Sequence, residues 1–418
     1  MNKEQQAADK LYKSHFGKMV TAMLQFSKDI DIETAEDLVQ DAFYVALSSW
    51  KDNGIPDNPA GWVYTVCRNK AINALKKKKT FINPFEEDHA ITGVAEPDEN
   101  VFDDRKIQLL FACSHPRLSG KMQVVITLKY VANLKTESIA RALGLTVDGI
   151  DKILARAKQR IRIENIFLKE PTTLQLKIRL PVVHKILYLI FNEGYRASSG
   201  NDIIRQELCE ESLIMTKSLL DNQICTGDTA ALYALLLFNA ARLNARITPA
   251  GELSDLEEQD RALWNDDLIA LGNYYLDQSK CENISSYHYE AAIAYVHCHA
   301  KSFADTDWHA ITKLYGHLLK NNPNPFIELN YAIALYYDSQ KWKAFDILHN
   351  LRQTFLDQSY LLHAALGKLY WQEGENQKCH LHLTKALSLA KFEVEKDFVK
   401  KILVEIELSK GQTGQRTQ

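Results

Sequence analysis

The sequence contains no Cys-x-x-Cys pair, and its seven cysteines, at positions 67, 113, 209, 225, 281, 298 and 379, are odd in number. That argues against a disulfide framework and predicts reduced thiols in a cytoplasmic protein. No run of about 18 apolar residues occurs, so no membrane-spanning helix is expected. The polar N-terminus has no apolar stretch of the kind a secretory leader needs. Metal-like clusters are missing as well. His297, Cys298 and His299 crowd together in the chain, as do Cys379, His380 and His382, but residues one and two apart do not share a helix face. Neither a metal nor a cofactor is expected. Glu193 invites a reading as a general base, yet no histidine or metal set stands at workable spacing. A buried hydrogen-bonding or loop-fixing role is expected of it, and not an enzyme.

One charge sign is also missing locally. Residues 81–104 contain no lysine or arginine but eight acids, whereas 105–162 carry 12 Lys/Arg against 3 Asp/Glu. The formal net charge of −3 conceals this segregation and is no argument against nucleic-acid binding. A hydrophobic content of 46% and a charged content of 25% are those of a soluble globular protein. The 418 residues suffice for two or three domains with real cores.

Residues 134–162 carry the clearest mechanism. Thr136 stands at a helix N-cap with Glu137 behind it, and Ile139, Ala140 and Leu143 follow at helical spacing up to Gly144. Thr146 caps a second helix whose inner face reads Val147, Ile150, Leu154, Ala157 and Ile161. Two short helices joined by such a turn predict a helix-turn-helix. Lys152, Arg156, Lys158, Arg160 and Arg162 would meet a phosphate backbone.

Upstream, residues 1–50 read as helix throughout. Asp31 opens a helix that buries Ala35, Leu38, Val39, Ala42, Phe43, Val45 and Ala46. Its other side shows Glu36, Asp37, Gln40 and Asp41, an acidic face suited to a basic partner. Residues 51–60 carry every turn signal and predict a loop. A helix then starts at Pro59 or Ala60 and bears Trp62, Tyr64, Arg68, Asn69, Lys70 and Asn73 before the run Lys76, Lys77, Lys78, Lys79. Aromatic, amide and basic side chains interleaved in this way suit single-stranded nucleic acid, by stacking and phosphate contact.

Together these segments resemble a known family. Residues 36–50 and 58–79 resemble region 2 of the sigma-70 superfamily in its compact, extracytoplasmic-function form. Residues 109–162 look like region 4, and the acidic stretch falls where that family has its linker. The resemblance implies an all-α fold, with region 2 at 1–80, an acidic linker at 81–104 and region 4 at 105–165. It implies core RNA polymerase and promoter DNA as partners, with no membrane. Core polymerase would dock on Glu36, Asp37, Gln40 and Asp41. The −10 element would meet Trp62, Tyr64, Arg68, Asn69, Lys70, Asn73, Lys76 and Lys77, and the −35 element Lys152, Arg156, Lys158 and Arg160. Opening the duplex demands capture of an unstacked base, which stacking and pocket contacts must offset. The polyanionic linker would run through a positively charged polymerase channel. Asp151 and Ile153 stand where family members usually carry basic residues, so −35 recognition departs from the family pattern. The alternative is a helix-turn-helix regulator that binds duplex promoters and never joins polymerase.

The remaining chain resembles a helical domain found in a subgroup of these sigma factors, through residues 179–220 and 235–272, and predicts an extension domain at 175–285. Phe238, Trp264, Leu271, Tyr274 and Tyr275 read as its core. Over 286–410, Leu366, Gly367, Tyr370, Gly374, Cys379 and Ala386 fall at the offsets of a tetratricopeptide repeat. Stacked repeats of this kind present a groove for a partner protein, and the extension is expected to regulate the sigma part in cis.

Overall fold

A computed structural model describes residues 3–27, 29–82, 107–143, 145–164, 166, 173–195, 205–221, 226–248, 254–390 and 393–414. Every regular element among them is a helix, as the all-α reading requires. The expected acidic linker lies outside the described residues except for positions 81 and 82. The chain divides into two compact units, 1–224 and 225–418, a division that falls inside the 175–285 stretch read as one extension domain.

In the first unit, α1 (Lys3–Phe26), α2 (Ile32–Asn53) and α3 (Pro59–Ile82) pack on one another. Asp31 caps α2 by accepting a hydrogen bond from the Thr34 amide at 2.8 Å. The helix ends at Gly54, whose φ of +80° suits a residue without a Cβ. The loop is therefore shorter than the turn signals imply, because residues 51–53 complete the last turn of α2. Met19, Val20, Met23, Val39, Phe43, Trp50, Val63 and Cys67 fill the interior.

Residues 107–113 form α4, followed by α5 (Gly120–Tyr130), α6 (Thr136–Ala142) and α7 (Val147–Ile163). The α4–α5 turn is fixed by Gln123, whose Nε2 donates to the Ser114 and His115 carbonyls at 3.2 and 2.8 Å. Next, α8 (Thr173–Tyr195) packs on α5 and α6, and the Arg179 guanidinium donates to the Phe111 carbonyl at 2.8 Å. Against α8 lies α9 (Gln206–Asp221). The two helices approach so closely at Gly194 that a Cβ there would sit 2.8 Å from the Cys209 amide and sulfur. Glu193 is buried just before this contact, and the helix runs on to Tyr195.

The second unit begins with α10 (Gly227–Ala241), α11 (Asp266–Gln278), α12 (Ser286–His299) and α13 (Trp308–Asn321). Phe238 and Trp264 are buried as expected. Leu271 and Tyr274 are not core residues, because their stretch of α11 faces solvent, with Tyr274 57% exposed. Helical hairpins follow: α14 (Pro325–Tyr337) with α15 (Lys341–Leu351), then α16 (Tyr360–Gln372) with α17 (Asn376–Leu389), closed by α18 (Glu393–Gly414). Gly374 turns the second hairpin at φ +73°. Gly367 lets α17 come close, since a Cβ there would lie 2.6 Å from the Leu383 side chain. Leu366, Tyr370, Cys379 and Ala386 are buried around that contact. His382 forms a buried pair with His363, Nδ1 facing Nδ1 at 2.9 Å. Burial, and then His363, push the His382 pKa down to about 4.

Candidate nucleic-acid interface

Helix α7 forms as its sequence dictates. The Thr146 hydroxyl caps it, accepting from the Gly149 amide at 3.1 Å, and Ile150, Leu154, Ala157 and Ile161 turn inward. Val147, expected on that inner face, is 42% exposed because it lies in the first turn, short of the packing surface. Thr136 is likewise one position off its expected cap. It is already the first residue of α6, and the Lys135 carbonyl accepts the first helical bond from Ile139 at 3.0 Å.

The basic residues of α7 divide by partner. Lys152 bonds Asp148 at 2.7 Å, one turn back on the open surface. Arg160 pairs with Glu164 at the end of the helix. Arg156 is exposed, as are Asp151 and Arg162. Lys158 reaches away from its own helix to Glu36 on α2 at 2.7 Å, with its side chain only 29% exposed.

That contact changes the reading of α2. Asp37, Gln40 and Asp41 lie on the open face as expected. Glu36 does not: it is buried to 9% exposure because α7 and the end of α5 cover it. Burial, with the Glu36 charge added, pushes the Tyr130 phenol pKa above its usual range. A cleft of about 530 Å³ opens beside the pair, lined among others by Glu33, Lys129, Asp151 and Arg162. Asp41 is exposed but bonds Lys70 on α3 at 3.0 Å.

On α3, Asn69, Asn73 and Lys76 line one exposed stripe, at steps of four and three. Trp62 is half-buried, resting edge-on against Trp50 with ring centroids 5.9 Å apart. Arg68 is partly covered, and its Nε is buried. Tyr64 departs from a base-stacking role. It is 5% exposed and belongs to the inner stripe with Cys67 and Ala71. The side chain of Lys77 lies outside the described residues.

Two residues of this surface carry no local motif. Tyr130 reads from the sequence as one more apolar helix position. Gly17 sits in the middle of α1, where a glycine costs about 1 kcal/mol against alanine and therefore signals a packing reason. The reason is contact with α5, since a Cβ at Gly17 would stand 2.0 Å from the Tyr130 carbonyl oxygen.

Residues 11–81, which hold α2 and α3, match the family model of sigma-70 region 2. Over 141 residues the chain is 26% identical to the RNA polymerase sigma factor SigV of Bacillus subtilis (strain 168), covering 34% of this chain and 81% of SigV. The chain thus carries a sigma-70 region 2 domain and is weakly similar to a sigma factor, which supports a place in the sigma-70 superfamily. An uncharacterized protein of Rhizobium meliloti (strain 1021) is 30% identical over 377 residues, or 88% of each chain, and so shares the extension as well as the sigma-70 part. Residues 179–280 match a family of unknown function, DUF6596, whose span runs across the division between the two units. No solved structure matches.

Proposed function

We propose that the chain is an RNA polymerase sigma factor that binds core polymerase and directs initiation at specific promoters. One observation carries the reading: a region 2 match is followed, in the same chain, by two short helices of which the second is capped by Thr146 and basic. A duplex-binding regulator that works without polymerase has no use for the first of these.

In this reading Asp37, Gln40 and Asp41 form the open part of the polymerase-docking face, and Glu36 joins them once uncovered. Trp62, Asn69, Asn73 and the lysines from Lys76 onward meet the melted −10 strand. Arg68 and Lys70 flank them, and Tyr64 supports the helix from behind. Lys152, Arg156, Lys158 and Arg160 meet the −35 duplex through phosphates. Asp148 and Asp151, at the N-terminal half of α7, favour a base edge that donates, such as cytosine N4. The work is recognition and strand capture in the cytoplasm, with no catalytic side chain of its own. The repeat-like hairpins α14–α17 receive a protein partner and regulate the sigma part.

Binding of the full chain to purified core polymerase tests the reading. Submicromolar binding is expected, weakened about tenfold or more by Asp37→Lys combined with Gln40→Lys, since reversing charges across an interface costs more than 1 kcal/mol. A chain that does not bind core polymerase is not a sigma factor.

A further inference from the structure

We infer that Arg242 and Arg261, beside the indole of Trp264, form a binding site for a small oxyanion, a phosphate or a carboxylate, in the second unit. All three residues fall within the 179–280 match to the family of unknown function. The site stands apart from the sigma reading. Only a role for its ligand in regulating the sigma part rests on the proposed function.

The backbone gathers the group. Arg242 is the C-cap of α10, Arg261 opens the short 3-10 helix Arg261–Leu263, and Trp264 ends it, its amide donating to the Arg261 carbonyl at 3.1 Å. Both guanidiniums lie over the indole, with Cζ 4.5 Å from the ring centroid for Arg261 and 6.0 Å for Arg242. Each is anchored through one nitrogen. Arg261 Nη1 donates to the His297 and Ala300 carbonyls at 2.7 and 2.5 Å, tying down the end of α12. Arg242 Nη2 donates to Asn239 Oδ1.

These anchors leave donors unused. Arg242 Nε, Arg261 Nη2 and Trp264 Nε1 are buried and meet no acceptor among the described residues. Arg242 and Trp264 are only 9% and 7% exposed. Neither guanidinium has a carboxylate partner among the described residues. Asp260, next to Arg261 in the chain, accepts from the Ala262 amide, and Asp305, whose charge reaches Arg261, accepts from the Ser302 hydroxyl. His297 registers the resulting field. Burial, and then Arg242 and Arg261, push its pKa down to about 3, so it stays neutral.

A buried charge without a partner is costly, and a bound anion removes that cost. Arginine presents its N–H groups in a planar fork that matches two oxygens of a carboxylate or phosphate, and the indole N–H supplies a further donor. A neutral ligand would leave both charges uncompensated. Arg261 is only partly buried, which leaves a route from solvent.

The test follows Trp264 itself in the full chain. Fluorotryptophan labelling gives six fluorine resonances, one for each tryptophan, and Trp264→Phe assigns the one that matters. Trp342, 79% exposed, is the reference. Sodium phosphate and sodium succinate are titrated separately against chloride at constant ionic strength. The Trp264 resonance is expected to move saturably, with a Kd of about 1 mM or below for at least one of them, and the tighter binder identifies the ligand class. Arg261→Gln should weaken binding about tenfold or more, and Arg261→Lys, which keeps the charge and loses the fork, about threefold. If Arg261→Gln loses helical content, the comparison rests on Arg261→Lys. Lys313→Gln removes an exposed charge from α13 and should change the Kd by less than about twofold. A Trp264 resonance that neither anion moves beyond the chloride control, up to about 50 mM, would overturn the site. So would wild-type affinity in Arg261→Lys, or a Lys313→Gln effect as large as that of the Arg261 variants.

Discussion

Helices α3 and α7 carry similar basic side chains, and the fold gives those side chains different neighbours. On α3 Asn69, Asn73 and Lys76 line an exposed stripe, and Lys70 pairs with Asp41 on α2. On α7 three of the four expected contacts are paired with acids: Lys152 with Asp148, Lys158 with Glu36, and Arg160 with Glu164. Basic character counted along a sequence measures supply. What reaches a ligand depends on which acids the fold brings within reach first. On α7 a phosphate would compete with Asp148, Glu36 and Glu164 for these side chains.

The comparison can be broken most severely at Trp50. Its indole is 1% exposed and backs Trp62, so Trp50→Ala should cost about 3–5 kcal/mol in chemical denaturation and remove the support of the open face. A loss below about 1 kcal/mol would show that α3 does not depend on this shelf. Next in size, Asn69→Ala with Asn73→Ala should weaken capture of single-stranded −10 DNA by the polymerase complex about tenfold, the sum of two modest contacts. Arg156→Ala should lower duplex affinity about fivefold and reduce the salt slope by about one, as expected for a single phosphate contact. The smallest effect belongs to Asp148→Asn. Freeing Lys152 from an exposed pair worth a few tenths of a kcal/mol should raise duplex affinity by about twofold. If it raised affinity more than Arg156→Ala lowered it, damping by Asp148 would be the stronger control on α7.

The second unit is held differently. Its hairpins depend on close approach, Gly367 against Leu383, and on aromatic contacts such as Phe345 stacked on Tyr370 at 4.9 Å.

What the sequence disclosed was local. Asp31 and Thr146 cap their helices because a short polar side chain meets free amides there, and nothing distant enters that choice. The inner faces of α2 and α7 follow the helical period for the same reason. Glu36 was illegible because it lies at the edge of the buried stripe of α2, and the helices that cover it come from more than 90 residues away. Tyr64 was misread because an aromatic flanked by basic residues looks the same whether it stacks on a base or fills a core; its register with Cys67 and Ala71 held the answer. Exposed Leu271 and Tyr274 failed the opposite way, since apolar composition alone does not say that another element will come to cover it.

Run-off transcription with purified core RNA polymerase on genomic fragments, using the full chain, tests the central claim most directly. Transcripts with defined start points that require the chain are predicted. Failure of the chain to bind core polymerase or to start transcripts at fixed positions would contradict the account.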